Sequence, residues 1–147
     1  MITGYFEDLV EGKVLESRGR TVTQADVVGF AGLSGDFHPL HLDVEHAKKA
    51  RFGEPIAHGM LTLAIASGLI ELSPEAVQAF GGMDKVRFLQ PVFFGDTIHV
   101  RSEVASLEQM DDSCGKAVLA ITVLNQRDEP VVVFKMRLVV GTRPRTA

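Results

Sequence analysis

Two stretches decide the fold of this 147-residue chain: Phe30-Ala-Gly-Leu-Ser-Gly-Asp-Phe-His-Pro-Leu-His-Leu-Asp43 and Pro55-Ile-Ala-His-Gly-Met60. The first carries a carboxylate, Asp36, and an imidazole, His41, in a segment interrupted by Pro39. Proline removes an amide donor and pushes the residue before it toward extended conformations. We therefore predict that this segment is irregular and cannot form a regular helix. A carboxylate and an imidazole held on one short loop are suited to general acid–base chemistry.

The second stretch opens a strongly apolar segment that predicts a helix over residues 58–72. Leucine, isoleucine and alanine recur at spacings of three and four, and the remaining positions are also mostly apolar. A helix that is hydrophobic on nearly all sides is expected to be surrounded by protein. Its first backbone amides, including that of Gly59, have no partner within the helix.

The rest of the chain predicts two short helices and several strands. Thr23 and Asp26 form an approximate capping box before the first helix, and Asp43 is a good N-cap for a second helix over 44–50. Alternating patterns predict strands over 14–21, 83–90, 97–107, 117–125 and 131–140. The last four, joined by short turns, indicate an antiparallel meander that wraps the long helix, which is an α+β fold.

Composition excludes several classes of protein. Hydrophobic residues make up 46% of the chain and charged residues 23%, as expected for one globular domain over residues 1–147. The net charge of −4 argues against a nucleic-acid partner, and no segment is long and apolar enough to predict a membrane-spanning helix. The single cysteine, Cys114, allows neither an internal disulfide nor a thiolate metal cluster. We expect a cytoplasmic protein, because the acidic N-terminus does not resemble a signal peptide.

Each candidate residue also has a plain structural interpretation. Taken alone, Asp36 is a common turn residue after glycine, and His41 is an ordinary half-buried histidine. His38 and His41 together with His46 or His58 raise the possibility of a metal site, but no helix spans the pair and no cysteine cluster supports it. No metal or other cofactor is expected.

The joint pattern resembles the MaoC-like dehydratases, also called R-specific enoyl-CoA hydratases, which have the hot-dog fold. The resemblance covers nearly the whole chain and rests on a set of short motifs: residues 30–36, residues 39–41, Ala47, residues 58–60, residues 86–92 and residues 95–96. One position departs from the family, since His38 stands where the family usually has asparagine before the proline. The departure puts the choice of substrate, and the rate, in question.

The resemblance implies hydration of a trans-2-enoyl thioester to an (R)-3-hydroxyacyl thioester, or the reverse dehydration, in fatty acid metabolism. Asp36 and His41 would be catalytic and would hold one water between them. The backbone amide of Gly59 would receive the negative charge of the thioester oxygen, and His38 and His58 would border the substrate. The partner would be an acyl-CoA or an acyl carrier protein, without a membrane or nucleic acid, and the chain would form a homodimer or larger homo-oligomer.

Two other functions remain open from the sequence. A hot-dog thioesterase would release a free thiol instead of removing the double bond, and the intact Asp36 and His41 motif disfavours it. A non-catalytic subunit would bind acyl thioesters without turnover, and the change at His38 keeps this alternative open.

Overall fold

The structure is a computed structural model that describes residues 1–144. It contains four helices and six strands within that range, after a short 3₁₀ turn at Phe6–Asp8. The helices are α1 (Gln24–Ser34), α2 (Pro39–Leu42), α3 (Val44–Lys49) and α4 (Gly59–Leu69). The strands are β1 (Val14–Glu16), β2 (Arg20–Thr21), β3 (Val77–Phe88), β4 (Thr97–Gln109), β5 (Cys114–Leu124) and β6 (Pro130–Gly141).

The strands form one antiparallel sheet in the order β1-β4-β5-β6-β3, with β2 also paired to β4. Strands β4, β5 and β6 form the predicted meander. The expectation that the meander begins with β3 is wrong, because β3 pairs with β6 at the opposite edge from β1. Alternation along a strand identifies its buried face but carries no information about its neighbours, so the sequence pattern could not give this order.

Two element boundaries differ from the predictions for local reasons. Helix α4 is shorter than predicted, since His58 is extended with ψ of 138° and Ile70 is extended at the other end. Strand β3 begins at Val77, six residues before the predicted start at Met83. Register shifts accompany Gly82, whose φ is 136°, and such an irregularity hides the alternating pattern.

The core lies between α4 and one face of the sheet. Inward side chains of the central strands, such as Leu119 and Ile121, are almost fully buried, and the helix contributes a matching set. That set is Leu61, Leu63, Ile65, Ala66 and Leu69. The prediction that protein surrounds α4 on all sides is wrong for the single chain, because Met60, Ala64, Ser67 and Gly68 are exposed. Within residues 1–144, no helix is both long and apolar enough to cross a membrane.

The predicted helix caps are confirmed and they set the position of the first motif. Thr23 and Asp26 exchange hydrogen bonds as a capping box, and Asp43 accepts a hydrogen bond from the His46 amide at 2.9 Å. Gly35 ends α1 in a left-handed conformation with φ of 77°, which favours glycine. The chain therefore turns sharply just before Asp36.

Candidate active site

Asp36 lies at the tip of this turn and is partly open to solvent. Its side chain is 51% exposed, and its Oδ1 accepts a hydrogen bond from the backbone amide of His38 at 3.2 Å. The Asp36 amide in turn donates to Ser34 Oγ at 3.2 Å. The first bond holds the carboxylate against the loop and the second holds the backbone of Asp36. Neither of them uses Oδ2.

His41 lies on α2, a single helical turn, so the prediction of a wholly irregular segment is wrong at this point. Proline is tolerated at the first helical position because its missing amide would be unpaired there in any case, and Pro39 occupies that position. His41 Nδ1 lies 2.7 Å from the Ile56 carbonyl oxygen. A carbonyl only accepts, so Nδ1 carries the proton, and the neutral ring presents the lone pair of Nε2.

His58 lies beneath this pair and is only 2% exposed. Its Nε2 donates to the backbone carbonyl of Asp36 at 2.9 Å, and its ring stacks on the His41 ring with centroids 3.8 Å apart. The Phe30 ring packs against the His58 ring, with centroids 5.0 Å apart. The Nδ1 atom of His58 is buried and has no hydrogen-bond partner among the described residues. His58 thus links the Asp36 turn, the His41 ring and the start of α4.

The structure brings three of the predicted site residues together. One ligand-type atom from each of Asp36, His41 and His58 lies within 4.8 Å of the other two. That spacing is compatible with a metal ion as well as with a single water molecule. The chemistry of the set does not favour a metal, because His58 Nε2 lies 3.9 Å from Asp36 Oδ2 and already donates to a carbonyl.

Gly59 is the first residue of α4 and borders an open cleft of about 620 Å³. The cleft has a mainly apolar lining that includes Met60, Phe88 and Val92. Asp36, His41 and His58 are not among the residues that line it, whereas Gly59, the chain neighbour of His58, is. Phe88 explains locally why residue 59 is glycine, because a Cβ there would lie 2.7 Å from its ring.

The environment of His41 favours its neutral form. Burial lowers the pKa of His41 below its ordinary value, and the nearby His58 and His38 rings act in the same direction. The hydrogen bond with the Ile56 carbonyl and the charge of Asp36 oppose this shift. The net lowering keeps the Nε2 lone pair available at neutral pH.

His38 lies beside the pair rather than within it. Its ring centroid is 6.2 Å from that of His41, and its Nδ1 accepts a hydrogen bond from the Leu40 amide at 3.1 Å. The prediction that His38 borders the substrate stays a prediction. Sequence reasoning missed the Ile56 carbonyl, which has no side-chain signal, and the contact of Phe88 with Gly59.

Comparison with known proteins assigns the chain to a family. The model of the MaoC like domain matches residues 6–125, which is most of the chain. This chain belongs to the MaoC-like domain family. The resemblance inferred from the motifs is therefore confirmed.

Relatives of this MaoC-like domain are named as hydratases and dehydratases. It is 37% identical over 103 residues to a 3-hydroxybutyryl-CoA dehydratase of Methylorubrum extorquens, covering 70% of this chain and 65% of the relative. It is 34% identical over 107 residues to an (R)-specific enoyl-CoA hydratase of Rhodospirillum rubrum, covering 73% and 74%. Protein MaoC of Klebsiella aerogenes is 43% identical over 98 residues, but the match covers 66% of this chain and only 29% of that protein.

Solved structures show the same fold for the MaoC-like domain. A protein from Archaeoglobus described as a monoamine oxidase regulatory protein superposes with a TM-score of 0.89 and 42% identity, covering 95% of each chain. A MaoC-like dehydratase from Rhodospirillum rubrum gives a TM-score of 0.87 and 29% identity, covering 96% of this chain and 99% of the other. A Mycobacterium tuberculosis protein with a double hotdog fold gives 0.88 at 25% identity, covering 98% of this chain and 46% of that protein. The α+β hot-dog fold expected from the sequence is thus confirmed.

Proposed function

We propose that this MaoC-like domain hydrates trans-2-enoyl thioesters to (R)-3-hydroxyacyl thioesters and catalyses the reverse dehydration. The observation that carries the proposal is the convergence of the Asp36 carboxylate and the His41 imidazole above His58. Hydration needs a group that accepts a proton from water and a group that returns one to carbon. This pair supplies both from a single bend of the chain.

In the proposed mechanism, one water molecule bridges Asp36 and the free Nε2 of His41. As the pair accepts a proton from this water, its oxygen forms a bond to the β-carbon of the substrate. The carbon–carbon π electrons move toward the thioester and form an enolate, and a proton from the pair then returns to the α-carbon.

The enolate oxygen needs a hydrogen-bond donor, and Gly59 is the best-placed candidate. Its amide lies in the first turn of α4, where the amides have no partner in the helix and the helix dipole favours negative charge. The apolar cleft beside Gly59 is suited to the uncharged part of an acyl thioester. The acyl part of the substrate would then occupy the cleft, and its double bond would extend past Gly59 to the bridging water.

Incubation with crotonyl-CoA tests the proposal, because hydration removes the absorbance of the conjugated double bond. We expect turnover that depends on enzyme concentration, with no release of free thiol. Release of thiol instead would indicate a thioesterase. Binding of enoyl thioesters of several chain lengths, as CoA and carrier-protein esters, without turnover of any would indicate a non-catalytic subunit.

The pH dependence of kcat/KM follows from the lowered pKa of His41. The neutral ring, which can accept a proton, persists as the pH falls below the usual imidazole value of about 6.5. Complete loss of activity on the acid side is therefore expected only below about pH 6.5. A rate profile with crotonyl-CoA measures this, and complete loss above that pH would contradict the assignment of His41.

We also propose that the chain forms a homodimer through the free edge of β3. This edge strand is 12 residues long, and its outward side has no partner among residues 1–144. Unpaired edges are usually covered in folded proteins. Phe80 on β3 is 57% exposed, and such an apolar side chain is suited to a contact with a second copy.

Light scattering at micromolar concentration tests the dimer. Phe80→Glu is expected to shift the protein toward monomer, because it would place a carboxylate in an apolar contact. Val14→Glu is a matched control, since Val14 is 47% exposed on β1 at the other edge of the sheet. A monomeric wild-type protein, or greater sensitivity to the Val14 variant, would refute the β3 interface.

A further inference from the structure

His38 makes two hydrogen bonds to the single helical turn that carries His41. Pro39 has no amide proton, so the first two amides of α2 are those of Leu40 and His41. The Leu40 amide donates to Nδ1 of the His38 ring at 3.1 Å, and the His41 amide donates to the His38 carbonyl at 3.0 Å. One residue therefore satisfies both of these amides.

The turn depends on these bonds because it is so short. Helix α2 has four residues, and an isolated helix of this length is not stable in water without tertiary support. Its other fixed point near the site is Ile56, whose carbonyl accepts from His41 Nδ1 and whose amide donates to the Leu40 carbonyl at 3.4 Å. Loss of the cap would leave the Leu40 amide unpaired and loosen the turn between these two points.

We infer that His38 is a positioning residue that holds the His41 imidazole in place through a helix cap that only its unprotonated Nδ1 can form. The expected effect on the reaction rate rests on the proposed function, whereas the cap is a hydrogen bond of the structure and does not. A protonated imidazole is a donor at both nitrogens and has no acceptor for the Leu40 amide. Its positive charge would also stand at a helix N-terminus, where cations are unfavourable.

The cap therefore makes the geometry of the site sensitive to pH. Imidazoles change charge between about pH 5 and 8. The titratable groups near the His38 ring are Asp36, whose carboxylate accepts from the His38 amide, and the rings of His41 and His46 at 6.2 and 6.3 Å. Any test must separate the effect of protonating His38 from the effects of protonating these three groups.

Asparagine at position 38 provides this separation. Its side-chain oxygen can accept from the Leu40 amide, and it does not titrate. His38→Ala removes the cap, and His46→Asn is a matched control because His46 is an exposed histidine whose ring caps nothing among the described residues. The three variants should be compared with wild type by an assigned NMR titration and by kcat/KM for crotonyl-CoA.

Measured from about pH 8.5 to 5.5, the Leu40 amide resonance should shift more in wild type and His46→Asn than in His38→Asn, which has no imidazole at the cap. As the pH falls over the same interval, the ratio of kcat/KM of His38→Asn to that of wild type should rise about fivefold. Wild type loses a cap of average strength when His38 is protonated, and His38→Asn does not. His38→Ala should be about fivefold less active than His38→Asn at every pH. The His41 ring resonances should differ between His38→Ala and wild type.

An identical Leu40 titration in wild type and His38→Asn would overturn the cap. A constant ratio of their rates, or full activity of His38→Ala, would overturn the positioning role. If no variant and no wild-type sample hydrates any enoyl thioester, the proposed function fails. The Leu40 amide and the His41 ring resonances would still decide whether His38 positions His41.

Discussion

The Asp36→Asn variant is expected to hydrate crotonyl-CoA about 10²- to 10⁴-fold more slowly than wild type, with an unchanged fold. The amide oxygen of asparagine can still accept the hydrogen bond from the His38 amide, which is 3.2 Å from Asp36 Oδ1. The turn should therefore keep its shape. What is lost is the carboxylate that accepts and returns a proton, and kcat measured by the decrease in enoyl absorbance reports that loss.

Asp43→Asn is the matched control for this variant. Asp43 is an exposed aspartate in the same stretch, where it caps α3, and asparagine caps helices about as well. Its kcat should be close to that of wild type. Because Asp36 and His41 act as a unit, Asp36→Asn combined with His41→Asn should lose about as much as either change alone. Activity of Asp36→Asn near the wild-type level would remove the carboxylate from the mechanism.

Replacing Gly59 by proline is expected to lower kcat by about 10²- to 10³-fold relative to alanine at the same position. Proline removes the amide proton that is proposed to stabilise the enolate. The fold should accept it, since proline is favoured at the first position of a helix and His58 has the extended conformation that precedes proline. The alanine and proline variants therefore differ mainly in whether residue 59 has an amide proton to donate.

The contact with Phe88 must be removed for this comparison to be clean. Any Cβ at residue 59 would lie 2.7 Å from the Phe88 ring, so both substitutions belong in a Phe88→Ala background. Phe88 is 52% exposed, and its truncation is not expected to unfold the protein. Circular dichroism checks the fold of each double variant. Equal kcat values for the alanine and proline variants would mean that a group other than the residue 59 amide donates to the enolate oxygen.

Local signals in the sequence predicted much of the framework that carries the site. The capping box at Thr23 and the cap at Asp43 depend on contacts between residues three apart, so the sequence shows them directly. The convergence of Asp36 and His41 on one water was implied only by the family resemblance, but their placement on one short segment is a local property of the sequence. In each case the physical cause lies within a few residues of its effect.

Features that depend on distant partners were not predictable in the same way. The pairing of β3 with β6 joins residues far apart in sequence, and alternation does not specify it. The proton on His41 Nδ1 is fixed by a backbone carbonyl, that of Ile56, and every residue type offers such a group. The exposed face of α4 could not be recognised either, because it carries no charged residue and Met60 and Ala64 on it are apolar.

The most direct test of the account is the stereochemistry of crotonyl-CoA hydration in D₂O. A single water held by Asp36 and His41 on one side of the substrate should add its oxygen and its deuteron to the same face. NMR of the product should then show one diastereomer of (R)-3-hydroxybutyryl-CoA, formed by syn addition. An anti product, or a mixture of both diastereomers at C2, would contradict delivery of both groups by this pair.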